Sequence, residues 1–239
     1  INNGFARYGL FLPFSATFFI FSEYLKPAAR IAALMKIKHF FIFTHDSIAV
    51  GEDGPTHQPI EQLSTFRAMP NFLTFRPADG NENAASWQIA LKENLPCAFV
   101  LSRQKLKALP QGVFGGVENG AYLLKESKNA EFTLLASGSE VSLCLETAAL
   151  LEQKGKGVNV VSMPCYELFE RQEKAYKKRL LQGKVIGVEA ANANELYQFC
   201  DEVFGIKSFG ESGKDKEVFA HFGFTPDKLC EFVLKADDE

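Results

Sequence analysis

The sequence predicts an α/β protein of two three-layer α/β/α domains, each built on a largely parallel sheet. Short continuous apolar runs, typical of strands buried on both faces, alternate along the chain with longer segments of helical spacing. Alternation of this kind produces βαβ units and parallel sheets. A stretch rich in glycine and proline, Leu109 to Gly116, interrupts the alternation and divides the 239 residues into two halves.

The first half carries two predicted strands with a helix between them. The strands are the apolar runs Phe-Phe-Ile-Phe at residues 40–43 and Ala-Phe-Val-Leu at residues 98–101. Residues 82–92 have helical spacing. The candidates for the inward face of this helix are Ala85, Trp87 and Ile89.

The second half repeats the alternation with more elements. Apolar runs predict strands at residues 132–136, 158–163 and 185–188. Helical spacing predicts helices at residues 141–152, 171–181 and 225–234. We therefore expect a first domain over residues 1–110, a linker over residues 111–120 and a second domain over residues 121–239.

Three local features accompany these elements. Pro27 lies inside an expected helix, where the first turn would tolerate it. The segment Ser137-Gly-Ser-Glu140 precedes a helix and could bind an anion there, but we favour Ser139 as a simple N-cap. Glu189 to Asn192 follow a strand and could line a pocket, with no chemistry assigned to them.

The composition excludes several classes of protein. A net charge of −3 argues against a nucleic-acid partner, and no run of about 18 uncharged apolar residues suggests a membrane span. Five scattered cysteines without a CxxC pair predict reduced core thiols in a cytoplasmic protein, with no metal site. Because residue 1 is Ile and the first Met is Met35, we expect the C-terminal part of a longer chain.

Polar residues that follow a buried strand are the first candidates for function, because ligands bind at the carboxyl ends of strands in open α/β sheets. The polar segment at residues 44–59 follows the first predicted strand and holds two of the four histidines, His45 and His57. Its carboxylates are Asp46, Glu52 and Asp53. Glycines and prolines within it predict a loop of defined shape.

This composition leaves three interpretations open. The segment could be an active-site loop, since imidazoles exchange protons near neutral pH and carboxylates orient them or bind hydroxyl groups. It could be a solvated surface loop whose histidines cap backbone groups. A metal site built from His45, Asp53 and His57 is a third possibility, although the spacing matches no common motif.

The same segment resembles the signature of the transketolase family. The matching residues read Thr44-His-Asp-Ser-Ile48 and then Gly51-Glu-Asp-Gly-Pro-Thr-His-Gln-Pro59. Other matching segments follow the family's order: Gly9 to Tyr24, Leu101-Ser-Arg-Gln104, Phe209-Gly-Glu-Ser212 and Phe222-Gly-Phe224. The resemblance spans nearly the whole chain. It implies the family's pyrimidine-binding domain, entered partway, and its complete C-terminal domain with a mixed sheet.

The resemblance implies an activity that this chain carries only in part. The family transfers a two-carbon ketol unit from a ketose phosphate to an aldose phosphate, using thiamine diphosphate with Mg or Ca. The expected partners are sugar phosphates and a second full-length copy, in a cytoplasmic homodimer of the pentose phosphate pathway. The metal-binding domain, and the glutamate that activates the aminopyrimidine, are expected before Ile1, so the fragment alone is expected to be inactive.

The resemblance also implies roles for seven residues. Phe18, stacked on the aminopyrimidine ring, and its neighbours Phe21 and Tyr24 are the expected cofactor contacts. Without the resemblance, Thr17 to Phe21 would be assigned to the core. The expected substrate-binding residues are His45, Asp53, His57 and Arg103. Of these, His57 is the expected catalytic residue, Asp53 is expected to select hydroxyl stereochemistry, and His45 and Arg103 are expected to contact phosphate.

Two other functions remain open beside a transketolase portion. The chain could be a standalone or split-subunit module with a binding or structural role. It could also belong to a related thiamine-dependent transferase, such as a deoxyxylulose phosphate synthase or a dihydroxyacetone synthase.

Overall fold

The chain forms two sheets with helices on both faces, in a computed structural model that describes residues 1–110 and 114–237. The first half contains, in chain order, α1 (Asn2–Tyr8), β1 (Phe14–Phe18), α2 (Ser22–Met35), β2 (Phe40–Thr44), α3 (Gln62–Arg67), β3 (Leu73–Phe75), α4 (Gly80–Lys92) and β4 (Cys97–Leu101). Short 3₁₀ helices cover Phe19–Phe21 and Ile48–Asp53. The four strands pair in the order β1-β2-β4-β3, all parallel.

The second half has a five-stranded sheet. Its elements are α5 (Phe114–Val117), β5 (Tyr122–Lys125), β6 (Phe132–Ala136), α6 (Glu140–Gln153), β7 (Val158–Ser162), α7 (Tyr166–Glu170), α8 (Lys174–Leu180), β8 (Lys184–Val188), a 3₁₀ helix (Asn194–Gln198), β9 (Glu202–Phe204), α9 (Asp215–His221) and α10 (Pro226–Asp237). The order is β5-β7-β6-β8-β9, and β5 is antiparallel to β7. The predicted fold class, with a parallel first sheet and a mixed second sheet, is confirmed.

Alternate residues of the central strands supply the two faces of each sheet. On one face of the first sheet, Phe41 and Phe43 of β2 pack with α2 and α3. On the other face, Phe40 and Phe99 pack with α4, whose Trp87 stacks on Phe99 at 4.0 Å between ring centroids. Burial on both faces explains why these strands read as unbroken apolar runs.

Several local predictions need correction. The helix predicted at residues 171–181 corresponds to α8, which begins only at Lys174 because the chain is extended at Glu173 (φ −61°, ψ 151°). The short helix α7 before it was not predicted. Pro27 lies beyond the first turn of α2, on its exposed side. Ser139 does not cap α6 with its side chain, since its hydroxyl donates to the Glu140 carboxylate instead.

Four strands escaped the sequence analysis, and all four are short or lie at sheet edges: β1, β3, β5 and β9. The domain limits stay a prediction. Residues 111–113 of the predicted linker, and residues 238–239 of the predicted second domain, lie outside the described residues. The rest of the predicted linker includes the short helix α5.

The cysteines behave as predicted core thiols. All five are buried and none forms a disulfide. Burial raises the pKa of the Cys97 thiol to about 12, with Glu93 and Glu167 adding to the effect, so this thiol is unreactive at neutral pH. In the part of the chain that the structure describes, no helix has both the length and the apolarity needed to cross a bilayer.

Candidate functional site

The site lies where β1 and β2 end side by side. The two strands are parallel, and Phe18 pairs in register with Thr44, so the residues that follow emerge at the same edge of the sheet. His45 adopts a left-handed backbone conformation with φ 61°, which is uncommon for a residue other than glycine. Its imidazole stacks on the Phe18 ring with 3.7 Å between centroids and 21° between planes. Phe18 is half-buried rather than part of the core.

A row of rings continues from this pair. Phe21 stacks near Phe18 at 6.0 Å and meets the His57 imidazole edge-on at 5.5 Å. Tyr24 lies 6.3 Å from Phe21 and is 84% exposed. The two predicted histidines and the three predicted aromatic residues therefore form one continuous surface. The turn from β1 into the 3₁₀ helix at Phe19–Phe21 produces it, because it buries Phe19 and leaves the rings on either side accessible.

The loop between the two histidines is rigidly braced. Gly51 and Gly54 have φ values of 79° and 74°, which only glycine adopts without strain. The Gln58 side-chain amide lies within hydrogen-bonding distance of three carbonyl oxygens, those of Ile48 (3.2 Å), Gly51 (3.1 Å) and Glu211 (2.9 Å). The predicted loop of defined shape is present, and most of residues 46–51 is buried within it.

The second half of the chain supplies part of this bracing. The Ser212 hydroxyl donates to the Glu52 carbonyl at 2.7 Å, next to the contact between Gln58 and Glu211. At Gly210, a Cβ would approach Gln58 Oε1 within 1.7 Å, so a larger residue there would displace the Gln58 side chain. The Phe209-Gly-Glu-Ser212 motif thus stabilises the loop through contacts with Gln58 and Glu52.

The ionisable groups of the site share one electrostatic environment. Burial lowers the pKa of His45, nearby Arg103 lowers it further, and Asp53 and Asp46 act in the opposite direction. Asp53 and Arg103 are both exposed, whereas the two imidazoles are half-buried. The Nδ1 atom of His45 contacts the Thr44 hydroxyl at 3.0 Å, and that of His57 contacts the Thr56 hydroxyl at 2.9 Å. A largely neutral imidazole beside a guanidinium can donate or accept a proton at neutral pH.

All seven predicted site residues thus belong to one region, although their roles stay predictions. The metal alternative finds no support: across residues 1–110 and 114–237, no group of three or more His, Cys, Asp or Glu side chains is placed to hold an ion.

A second polar cluster, which the sequence analysis missed, lies directly behind the loop. We call it the buried ion cluster. Its members are two guanidiniums and four carboxylates, those of Arg67, Arg76, Asp46, Glu140, Glu189 and Glu195. Arg67 and Arg76 come from the first half, as does Asp46, and the three glutamates come from the second half. The cluster therefore joins the two halves.

The sequence did contain signals for this cluster. Glu140 and Glu189 follow strands β6 and β8, and the sequence analysis noted both segments, the first as an N-cap or an anion site and the second with no chemistry assigned. Arg76 stands between Phe75 and Pro77, an unusual setting for an exposed arginine. The sequence could not show which of these residues pair, because the paired residues are 30 to 128 positions apart.

The pKa values of the groups in the buried ion cluster shift in different directions. Burial lowers the pKa of Arg67, but Glu189 and Glu195 more than reverse this, so the pKa lies above its ordinary value. For Glu189, burial raises the pKa, but the positive charges of Arg67 and Arg76 lower it more. The pKa of Glu189 therefore lies below its ordinary value. Burial does raise the pKa of Glu140 despite the contact with Arg76. Two cations cannot fully compensate three buried carboxylates and the partly exposed Glu195, so one carboxyl group gains a proton most easily.

Comparisons with known proteins identify the two halves of the chain. Two family models match the chain: the transketolase pyrimidine-binding domain over residues 1–108, and the transketolase-like C-terminal domain over residues 120–225. The transketolase of Staphylococcus epidermidis (strain ATCC 12228) is 48% identical over 242 residues, which cover 97% of this chain and 37% of the relative. The chain therefore spans little more than a third of the length of this curated relative.

Solved structures show the same correspondence. The crystal structure of transketolase from Campylobacter jejuni has a TM-score of 0.96 and 78% identity, over 98% of this chain and 37% of the solved chain. A Pichia stipitis transketolase in complex with sedoheptulose-7-phosphate has a TM-score of 0.95 and 37% identity, over 98% and 35% of the two chains.

Proposed function

This chain belongs to the transketolase family, and we propose that it is the C-terminal portion of an enzyme that transfers a two-carbon ketol unit from a ketose phosphate to an aldose phosphate. The observation that carries this proposal is the stacking of His45 on Phe18 at the end of two parallel strands. It brings the ring proposed to hold the cofactor within contact of a residue proposed to hold the substrate.

We propose that Phe18, Phe21 and Tyr24 bind the aminopyrimidine of thiamine diphosphate. The fit rests on two properties of the residues present. Phe18 and Phe21 are half-buried and 12° from parallel, so they offer flat faces of fixed orientation to a planar ring. Tyr24 is exposed at the rim, where its hydroxyl is free to point towards a ligand. When bound, the cofactor supplies the electron sink on which the transferred fragment is held.

The polar residues then act on the sugar. The planar guanidinium fork of Arg103 suits a phosphate, with His45 as a neighbouring donor. Asp53 is exposed at the end of the 3₁₀ helix and accepts a hydrogen bond from a substrate hydroxyl, which favours the correct epimer. His57 lies against Phe21, next to the proposed cofactor surface, where its ring takes up or returns a proton.

The remaining proposals concern what lies outside this chain. An exposed apolar surface runs along the first half, with Phe5 at 48%, Tyr8 at 71%, Leu10 at 76% and Leu12 at 58% exposure. Large exposed apolar patches mark association sites, which supports a homodimer of the full-length chain. The metal, Mg or Ca, is proposed to bind in a domain outside this chain, and the enzyme to act in the cytoplasm.

Turnover in the intact protein tests the proposal. We expect the full-length protein that contains this chain, supplied with thiamine diphosphate and Mg²⁺, to move a two-carbon unit from a ketose phosphate to an aldose phosphate. The 239-residue chain alone should be inactive under the same conditions. Transfer by the chain alone would refute the fragment proposal. Absence of transfer by the full-length protein would refute the function.

Intact mass separates the second candidate. A protein isolated from cells with a mass near 26.6 kDa would support a standalone or split-subunit module. A much larger mass would support the portion of a longer enzyme.

A further inference from the structure

The residue that follows His45 is tied to the second half of the chain by the buried ion cluster. Arg76 donates from Nε and Nη2 to Asp46 Oδ2, at 3.0 Å and 2.7 Å. Its Nη1 donates to the Ser137 carbonyl at 3.0 Å and contacts the carboxylates of Glu140 and Glu189. One guanidinium thus connects a residue of the site loop to two glutamates of the second half.

Stability alone is a poor reason for this arrangement. The free-energy cost of removing the charges from water is about as large as the gain from their mutual attraction, and apolar replacements are often neutral or stabilising. The side chains of Arg76, Asp46, Glu140 and Glu189 are at most 2% exposed. A fixed geometry is the more economical explanation, because the planar guanidinium fork holds its partners in defined directions.

The group that this geometry fixes is His45. Its left-handed backbone is strained and persists only where the surroundings enforce it. On one side, strand β2 holds Thr44 by its pairing to β1 and β4. On the other side, Arg76 and the Ser47 hydroxyl (3.2 Å) hold the Asp46 carboxylate. These two anchors fix the backbone of His45, and its imidazole lies against the Phe18 ring.

We propose that Asp46 is a positioning residue for His45, held in place through Arg76 by Glu140 and Glu189 of the second half. The inference rests on the proposed role of His45 as a phosphate contact. It gives the second half a task in the reaction, although none of its side chains is among the seven proposed site residues.

Asp46→Asn is the variant that tests this with the least risk to folding. The amide keeps the shape and one acceptor oxygen but loses the charge that draws the Arg76 fork. Both guanidiniums retain carboxylate partners in the second half, namely Glu189 and Glu195 for Arg67, and Glu140 and Glu189 for Arg76.

The kinetic experiment compares two donors in the full-length enzyme, a ketose phosphate and the unphosphorylated ketose of the same carbon number. We expect Asp46→Asn to raise KM for the ketose phosphate about tenfold and to leave KM for the unphosphorylated ketose within about twofold, because a displaced His45 affects only the phosphate end. In a His45→Ala background, Asp46→Asn should add little. An equal loss with both donors, or full additivity with His45→Ala, would overturn the proposal.

Glu82→Gln is the matched control. Glu82 is another buried carboxyl group of the first half that is bonded to the second half, through the Tyr122 hydroxyl (2.7 Å) and the Ser162 hydroxyl. It has no contact with the buried ion cluster among the described residues. We expect its replacement to leave the ratio of the two KM values unchanged. A change in that ratio equal to that of Asp46→Asn would mean that any weakening between the halves disturbs the site, and would overturn a specific role for Asp46.

A crystal structure of the Asp46→Asn variant separates this inference from the proposed function. We expect His45 to leave the left-handed region and its ring to move off Phe18. If the wild-type enzyme transfers no two-carbon unit, the proposed function fails, while the structure still decides whether Asp46 positions His45. An unchanged His45 would overturn the inference even in an active enzyme.

Discussion

The proposed site and the buried ion cluster are adjacent, but they differ in how far their charged side chains are exposed to solvent. The site leaves Asp53 and Arg103 exposed and its imidazoles half-buried, whereas the cluster excludes water from both guanidiniums. His45 and Asp46, consecutive in the chain, belong one to each. Groups that must exchange partners during a reaction need access to solvent or ligand, while groups that hold a shape gain from being dry. The boundary between these environments falls at a single peptide bond.

The largest expected effect, on the free energy of unfolding, comes from removing a cation of the buried ion cluster. Arg76→Leu leaves buried carboxylates without their cation, and we expect it to lower the free energy of unfolding by about 3–5 kcal/mol. Chemical denaturation of the chain measures this. The control is Lys92→Leu, which removes an exposed pair with Glu118 (3.7 Å) and should cost less than about 1 kcal/mol. Similar losses for both variants would show that burial does not distinguish the cluster from a surface pair.

A smaller effect, on the affinity for the cofactor, is expected from a variant of the proposed site. Phe18→Ala removes the flat face proposed for the aminopyrimidine, and we expect thiamine diphosphate to bind the full-length protein about ten- to a hundredfold more weakly. A fluorescence titration measures the affinity. Tyr197→Ala, at a half-exposed ring of the second half, should leave it unchanged. Unaltered affinity in Phe18→Ala would remove this ring from the cofactor surface.

Asp53→Ala tests selectivity within the same proposed site. Loss of a charged acceptor should lower kcat/KM for the donor with the correct hydroxyl configuration about tenfold, and lower it less for the epimer. Steady-state kinetics with both epimers in the full-length enzyme measures the difference, and Glu52→Ala at the adjacent exposed carboxylate is the control. Equal losses for the two epimers would exclude Asp53 from the selectivity role.

The smallest expected effect is a change in one titration. Arg103→Gln removes a charge that holds the pKa of His45 down, although burial is the larger cause, so the pKa should rise towards its ordinary value without reaching it. NMR titration of the His45 ring protons follows this, with the exposed Lys107→Gln as control. An unchanged His45 pKa would place Arg103 too far away to act on this imidazole.

Local physics made much of the fold predictable. Strands β2 and β4 are unbroken apolar runs because both of their faces are covered, and β6, β7 and β8 are largely apolar for the same reason, although they bury Thr133 and Asn159. Helix α4 shows the spacing of its one buried face. The short edge strands β3 and β9 lack such a pattern and were missed. Helix α7 was missed because its five residues are too few to show a helical period.

The sequence by itself determined the α/β class and pointed to the polar loop after β2, since strand patterns and loop composition are local features. The proposed roles of Phe18, Phe21, Tyr24 and Arg103 came only from the family resemblance. Only the tertiary structure decided that Glu140 and Glu189 reach across to Arg76, and so to Asp46. Ion pairs leave no periodic pattern in the sequence. Which charged residues pair depends on which strand ends the fold brings together. The same is true of His45, whose left-handed backbone follows from anchors on both sides rather than from its own preference.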